Sequence, residues 1–219
     1  MNNFHNEFMW YTVTVELSII VWLILYLISF TCYYLCTIKK RQRWLDRNVI
    51  INAFFIFYII SVISLTFTPI RIWNPDYRYY LMTRGGGTDL TIAQIANINL
   101  IPFRNLSFTI RFSTFRAILW GVGGNFIMLM PLPIFIGLRS NKPLIFKQAL
   151  LFSFLTTLFI ESTQLVLNLA GGWPSRLVCV DDLILNTLGA LVGYAIFKKF
   201  PNLFEVPVMT LLKLLTFGK

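Results

Sequence analysis

Three long apolar runs limit the folds available to this chain. Leu17–Ile38, Asn48–Ile70 and Ala117–Leu138 contain no Asp, Glu, Lys or Arg. A helix needs about 20 apolar residues to cross a bilayer core of about 30 Å, so each run is long enough to span a membrane. Charged residues make up only 13% of the chain, against about 25% in soluble domains. These features predict an integral membrane protein built from helices.

Two further runs extend this pattern. Gln148–Ser175 is interrupted only by Glu161. Leu183–Phe197 reaches spanning length if its helix begins near Asp181 and ends near residue 200. We therefore predict an all-α bundle of about five transmembrane helices. Their expected ranges are residues 17–38, 48–70, 117–138, 148–169 and 181–200.

The predicted spans divide the chain into two parts. Residues 1–70 hold the first two helices, and residues 71–219 hold the other three. The intervening segment 71–116 contains the glycine triplet Gly85–Gly87 and an Ile-rich stretch, which predict a short interfacial or re-entrant element. The tail Val206–Phe217 is too short to span, so we expect an interfacial helix there.

The distribution of basic residues predicts the orientation. Lys and Arg cluster in the loops after the first and third spans and again after the fifth, whereas none precedes the first span. The positive-inside rule then places the N-terminus outside the cell, the C-terminus in the cytoplasm and segment 71–116 outside. The same placement explains the net charge of +10 without a nucleic-acid partner. The expected partner is the lipid bilayer.

A polar stripe runs along the fourth predicted span. Thr157, Glu161, Gln164 and Asn168 follow at intervals of four, three and four residues, which places them on one helical face. Ionisable side chains within a span are costly and usually face the bundle interior or a cavity. We therefore expect Glu161 to face inward, where it could act as a general base or a cation ligand.

The fifth predicted span carries a similar stripe. Asp182, Asn186, Gly189 and Gly193 share one face, and the two glycines form a GxxxG pair that permits close helix contact. Asp181 points about 100° away from Asp182. We therefore expect Asp181 to be a helix cap or a solvent contact.

Asn125 in the third span completes the polar set. It lies at about the same outer-leaflet depth as Glu161, and the preceding sequence "GVGG" should let a neighbouring helix approach closely. Three helices with polar groups at one depth predict an outward-facing pocket. The alternative is that these groups only link the helices by hydrogen bonds, with Arg176 as the counter-ion of Glu161.

Four motifs resemble those of the VanZ-like membrane proteins, in the order found in that family. They are "NLIPF" (Asn99–Phe103), "NFIMLMPLP" (Asn125–Pro133), "ESTQ" (Glu161–Gln164) and "RLVCVDDLILNTLGALVGY" (Arg176–Tyr194). The founding member of the family is linked to teicoplanin resistance. The resemblance implies a multi-pass protein of the bacterial cytoplasmic membrane that lowers susceptibility to glycopeptide or lipoglycopeptide antibiotics.

The sequence departs from the family pattern at several positions. Leu129 and Pro133 stand where members often have Phe and Gly, and Cys179 stands where many have the first Asp of an Asp-x-x-Asp pair. Only the second aspartate of that pair, Asp182, is present. We therefore predict no metal site, and the sequence indicates no particular cofactor.

These observations predict that the protein acts on or binds an amphiphile at the outer leaflet, such as an envelope lipid or a lipid-anchored glycan. The candidate catalytic residues are Glu161 and Asp182. The candidate binding residues are Asn99, Asn125, Gln164, Arg176, Asp181 and Asn186. The alternatives are a non-catalytic scaffold or lipid-binding module and a small transporter or flippase. The residues indicate neither a specific reaction nor an oligomeric state.

Overall fold

The computed structural model describes residues 13–15, 19–38, 46–67, 70–72, 90–140 and 144–216. The glycine triplet Gly85–Gly87 lies outside these residues. The described helices are α1 (Ile19–Ile38), α2 (Arg47–Phe67), α3 (Ile92–Ala96), α4 (Arg104–Phe112), α5 (Phe115–Ile118), α6 (Gly124–Met128), α7 (Pro131–Ser140), α8 (Phe146–Gly171), α9 (Val180–Lys199) and α10 (Asn202–Thr216). Two short strand pairs accompany them: β1 (Val13–Val15) antiparallel to β2 (Ile70–Ile72), and β3 (Ile98–Asn99) parallel to β4 (Val178–Cys179).

Membrane-spanning helices dominate the described part of the chain. Within it, four helical segments are long and apolar enough to cross a bilayer: α2, Phe115–Ser140, α8 and α9. They correspond to predicted spans two to five, and the 20-residue helix α1 coincides with the first. The protein is therefore an all-α membrane protein, as predicted. The C-terminal tail is helical, and its interfacial position remains a prediction.

Close packing of α9 against the third span, Phe115–Ser140, forms the centre of the bundle. A Cβ atom at Gly189 would lie 1.6 Å from the backbone oxygen of Phe126, and one at Gly193 would lie 2.0 Å from that of Met130. Only glycine can occupy these two positions without moving a helix. The predicted contact through the GxxxG face is confirmed.

The "GVGG" sequence behaves differently from the expectation. A Cβ atom at Gly121, Gly123 or Gly124 would meet no described atom within 4 Å, so the prediction of a close helix approach there was wrong. Residues Leu119–Gly123 form a π-helical turn between α5 and α6. The glycines therefore leave open space beside the third span, and this space borders the cavity described below.

Two prolines interrupt the third span after α6. Pro131 and Pro133 have no N–H to donate, and Leu132 donates its own N–H three residues back instead of four. The Met128 carbonyl therefore receives no hydrogen bond from the Leu132 N–H, which would be its partner in a regular α-helix. The Tyr58 hydroxyl of α2 donates to that carbonyl over 3.1 Å, which links α2 to the third span.

Segment 90–112 folds over the end of the bundle where α8 stops and α9 starts. Strand β3 pairs with β4, which directly precedes α9. Asn97 adopts a left-handed conformation with φ 51°, and its carbonyl accepts a hydrogen bond from the Val178 N–H over 3.0 Å. The segment thus contains the short helices α3 and α4 and is joined to both long helices, and an interfacial or re-entrant position for it remains a prediction.

The opposite end of the bundle is held by Arg47 at the start of α2. Its guanidinium donates to the Leu138 carbonyl over 2.9 Å and lies 3.6 Å from the Glu205 carboxylate of α10. These contacts bring the C-terminal helix against the second and third spans.

Candidate functional site

A cavity of about 620 Å³ opens between α2, the third span, α8 and α9. We call it the polar cavity. Its wall contains six of the eight candidate residues, namely Asn125, Glu161, Gln164, Arg176, Asp182 and Asn186. Helical spacing predicted the four of these residues that belong to α8 and α9. Asn125 was predicted from its depth in the third span, and Arg176 from its charge.

Glu161 lies deep in this wall. The residue is 6% exposed, and one carboxylate oxygen accepts a hydrogen bond from the Cys179 N–H over 3.0 Å. That N–H belongs to the residue that directly precedes α9. The hydrogen bond fixes the orientation of the carboxylate, while Glu161 still borders the cavity.

Asp182 forms the second acidic group of the cavity. Asn125 borders the same space as Asp182. Glu161 and Asp182 both border the polar cavity. Two carboxylates that face one space can accept hydrogen bonds from hydroxyl or ammonium groups of a ligand.

Asn186 presents an unsatisfied acceptor beside these carboxylates. The residue is 1% exposed, and its Nδ2 donates to the Thr157 hydroxyl over 3.1 Å. Its Oδ1 is buried and has no hydrogen-bond partner among the described residues. Because a buried polar atom without a partner is costly, this oxygen is suited to accept a hydrogen bond from a bound molecule.

Gln164 and Asn168 mainly hold the architecture around the cavity. Gln164 donates to the Thr66 carbonyl of α2 over 3.1 Å. Asn168 donates to the carbonyls of Arg176 (2.8 Å) and Ala96 (3.2 Å) and accepts from the Arg176 N–H (3.0 Å). Asn168 thereby fixes the backbone of the loop that carries Arg176. The polar stripe of α8 therefore includes both residues that border the cavity and a residue that organises its loop.

Asp181 has a different role from the expected cap of its own helix or solvent contact. It is only 2% exposed. Its two oxygens accept hydrogen bonds from the backbone N–H groups of Phe103 and Leu106, the latter over 2.9 Å. These groups belong to the N-terminus of α4, so Asp181 caps a helix about 75 residues earlier in the chain. The contact also supports Phe103, whose φ of 63° is rare for a residue other than glycine.

Asn99 lies outside the polar cavity. Its Oδ1 accepts from the Ile101 N–H over 3.2 Å, and its side chain borders a neighbouring groove beside α4. Asn99 was among the predicted binding residues, and the structure places it, like Asp181, outside the wall of the polar cavity.

The sequence reasoning missed several parts of the cavity wall. Asn105 of α4 borders the cavity together with Thr66 of α2. No periodic pattern or unusual spacing marks either residue. The wall also includes large apolar side chains that are exposed on the outside of the bundle. These are Leu65, Leu119, Trp120 and Ile127.

The comparison with protein families identifies the chain. The model of the VanZ/LLP1 family matches residues 55–204. The chain belongs to the VanZ/LLP1 family. The matched region contains every polar residue of the cavity named above and confirms the resemblance seen in the four motifs. A search of curated proteins and a search of solved structures found no match.

Cys179 stands where the resemblance led us to expect the first Asp of an Asp-x-x-Asp pair. The residue is buried, and burial raises the pKa of its thiol above the usual range. The Asn99 side chain faces its sulfur at 4.0 Å. Among the described residues, no group of three His, Cys, Asp or Glu side chains is placed to hold a metal ion.

Proposed function

We propose that this VanZ/LLP1-family protein binds an amphiphile of the bacterial cell envelope in the polar cavity. This binding would lower the susceptibility of the cell to glycopeptide or lipoglycopeptide antibiotics. The observation that supports the proposal is the composition of the cavity wall. Six predicted polar residues and four exposed apolar residues border the same space.

The two kinds of wall match the two ends of an amphiphile. The apolar side chains of Leu65, Trp120 and Ile127 are exposed where acyl chains would surround a membrane protein, and Trp120 is 72% exposed. Tryptophan favours the interface between lipid and water. An alkyl chain can therefore lie along this side of the cavity while its polar head lies among the carboxylates and amides.

The polar side favours a head rich in hydroxyl, amine or amide groups. Glu161 and Asp182 are acceptors when ionised, and Asn125 and Asn186 offer both donors and acceptors. An envelope lipid or a lipid-anchored glycan has this chemistry. Glu161 is the residue best placed to serve as a general base or cation ligand, because its carboxylate is held by the Cys179 N–H beside the cavity.

We place the cavity at the outer leaflet, with the N-terminus outside and the C-terminus in the cytoplasm. Helix α9 supports this orientation, since its first turn carries Asp181 and Asp182 and its last turn carries Lys198 and Lys199. The positive-inside rule assigns the lysine end to the cytoplasm. The acidic end, and with it the polar cavity, then faces outward.

A scaffold function is the second candidate. The hydrogen bonds from Asn186 to Thr157 and from Gln164 to Thr66 link neighbouring helices. Such contacts contribute roughly 0.6 kcal/mol each on average inside membranes. A scaffold would depend on these packing contacts, whereas a binding protein would also depend on the charge of the carboxylates.

Glu161→Gln separates these two functions. Glutamine keeps an oxygen that can accept the hydrogen bond from Cys179, so the packing should survive while the charge is lost. We expect the variant to reach normal levels in a susceptible bacterium. Unlike the unchanged protein, it should not raise the inhibitory concentration of teicoplanin. Ser162→Ala is the matched control, because Ser162 is the next residue on α8 and is exposed.

The inhibitory concentration of teicoplanin is measured at matched protein levels against cells with an empty vector. Full protection by Glu161→Gln would contradict a role for the carboxylate and favour the scaffold. No protection by the unchanged protein would contradict the proposed resistance function itself.

A further inference from the structure

Helix α4 presents two arginines on one face beside the polar cavity. Arg104 and Arg111 are seven residues apart, so they lie within about 20° of each other around the helix axis and about 10.5 Å apart along it. Both side chains are exposed, and Ser107 lies between them on the same face. The helix contains no acidic residue. The face is therefore positively charged.

These arginines border a groove of about 300 Å³. We call it the arginine groove. Its wall consists of Asn99, Arg104, Asn105, Ser107, Phe108, Arg111 and Phe112. Among the described residues, neither guanidinium forms a salt bridge with a carboxylate. The groove thus combines two unneutralised cations with side-chain hydroxyl and amide groups.

The aromatic side of the groove is exposed as well. Phe108 and Phe112 are large exposed apolar residues, and their rings lie 4.9 Å apart. A small free anion would contact only the polar side of such a groove. An anion attached to an alkyl chain would contact both the arginines and the phenylalanines.

The arginine groove adjoins the polar cavity. Asn105 borders both spaces. Asp181, which precedes Asp182 in α9, accepts hydrogen bonds from the N-terminus of α4 and so fixes this helix beside the cavity. One elongated ligand can therefore contact both sites.

We propose that the arginine groove binds the phosphate group of an anionic amphiphile whose adjoining polar head occupies the polar cavity. Guanidinium groups bind phosphate through paired, charge-assisted hydrogen bonds. Ser107 and Asn105 supply further donors. Phe108 and Phe112 contact the part of the alkyl chain next to the phosphate, and the rest of the chain lies along the apolar side of the polar cavity. This inference rests on the proposed function and narrows its ligand to a phosphate-bearing amphiphile.

Amphiphile binding to the full-length protein tests the inference. The protein is held in neutral detergent, and native mass spectrometry measures its apparent Kd for dodecyl phosphate and for uncharged dodecyl maltoside. We expect dodecyl phosphate to bind at least about tenfold more tightly, which corresponds to one charge-assisted hydrogen bond or more. Inorganic phosphate at the same concentration should not displace it.

The double variant Arg104→Gln/Arg111→Gln should remove this preference and leave the binding of dodecyl maltoside unchanged. Arg116→Gln is the matched control, because Arg116 is exposed in the same region and lies outside the groove. Circular dichroism checks that the variants keep their helix content, as expected for exposed positions.

Each outcome has a definite consequence. Equal affinity for the two amphiphiles would overturn the phosphate site while leaving the proposed function in place. Equal loss in Arg116→Gln and the double variant would attribute the preference to diffuse charge and overturn the site. Displacement by inorganic phosphate would overturn the assignment to an amphiphile. Binding of neither amphiphile would overturn the proposed function as well.

Discussion

Replacement of Gly189 by alanine should disrupt the centre of the bundle. The new Cβ atom would lie 1.6 Å from the backbone oxygen of Phe126, whereas non-bonded atoms pack at about 3.5 Å. Helix α9 and the third span would have to separate by roughly 2 Å. No flexible side chain can give way, because the obstructing atom belongs to the backbone.

Two opposing effects determine the size of the change in stability. Overpacking a core typically costs about 1–3 kcal/mol, and the backbone clash favours the upper end of that range. Alanine in place of glycine stabilises a helix by about 1 kcal/mol. The net loss should therefore be about 2 kcal/mol, which lowers the unfolding temperature of a protein of this size by about 4–8 °C.

The assay compares thermal unfolding of the detergent-solubilised variants with that of the unchanged protein. Gly121→Ala is the matched control, since a Cβ atom there would meet no described atom within 4 Å. We expect its unfolding temperature to stay the same or to rise by up to about 4 °C, because alanine favours the helix by up to about 1 kcal/mol and meets no obstacle there. Equal unfolding temperatures for Gly189→Ala and Gly121→Ala would refute the close contact between α9 and the third span.

Three further predictions concern the aspartates, the loop and the topology. Asp181→Asn should expose the α4 segment to protease, because one buried acceptor becomes a donor at a cost of about 1–3 kcal/mol. Asp182→Asn should leave cleavage of the α4 segment unchanged. Equal cleavage of α4 in the two variants would contradict the capping role of Asp181. Asn168→Ala should likewise speed hydrogen exchange in the loop between α8 and α9, and unchanged exchange would show that another contact holds that loop. The topology test places single cysteines in a background without native cysteines and treats intact cells with a membrane-impermeant thiol reagent. A cysteine at Thr88 should react, and a cysteine at Gln42 should not. The reverse pattern would contradict the proposed orientation.

Much of the fold follows from one-dimensional patterns. The absence of charge over long runs located the spans, since a bilayer demands about 20 apolar residues for each helix. The three- and four-residue spacing of Glu161, Gln164 and Asn186 with their neighbours predicted which faces turn inward. The GxxxG pair predicted the close contact of α9, although not the identity of its partner.

The errors arose where the outcome depends on how distant segments meet. Asp181 lies at a helix start, so capping its own helix was the natural expectation. Its actual partners, Phe103 and Leu106, come from a segment that folds back across the bundle. Similarly, the "GVGG" glycines permit close approach only if a neighbour lies opposite them, and the sequence does not specify that neighbour. Asn105 was missed for the same reason.

Selective capture of a lipid at the cavity mouth tests the proposed binding function most directly. A photo-crosslinking amino acid is placed at Trp120, which borders the polar cavity, or at Phe159, which is exposed on α8 outside its described wall. After irradiation of intact cells, the crosslinked lipids are identified by mass spectrometry. We predict that Trp120 captures one class of amphiphile well above its share of the membrane, whereas Phe159 captures the bulk lipids. The same lipid mixture at both positions would contradict a selective binding site in the polar cavity.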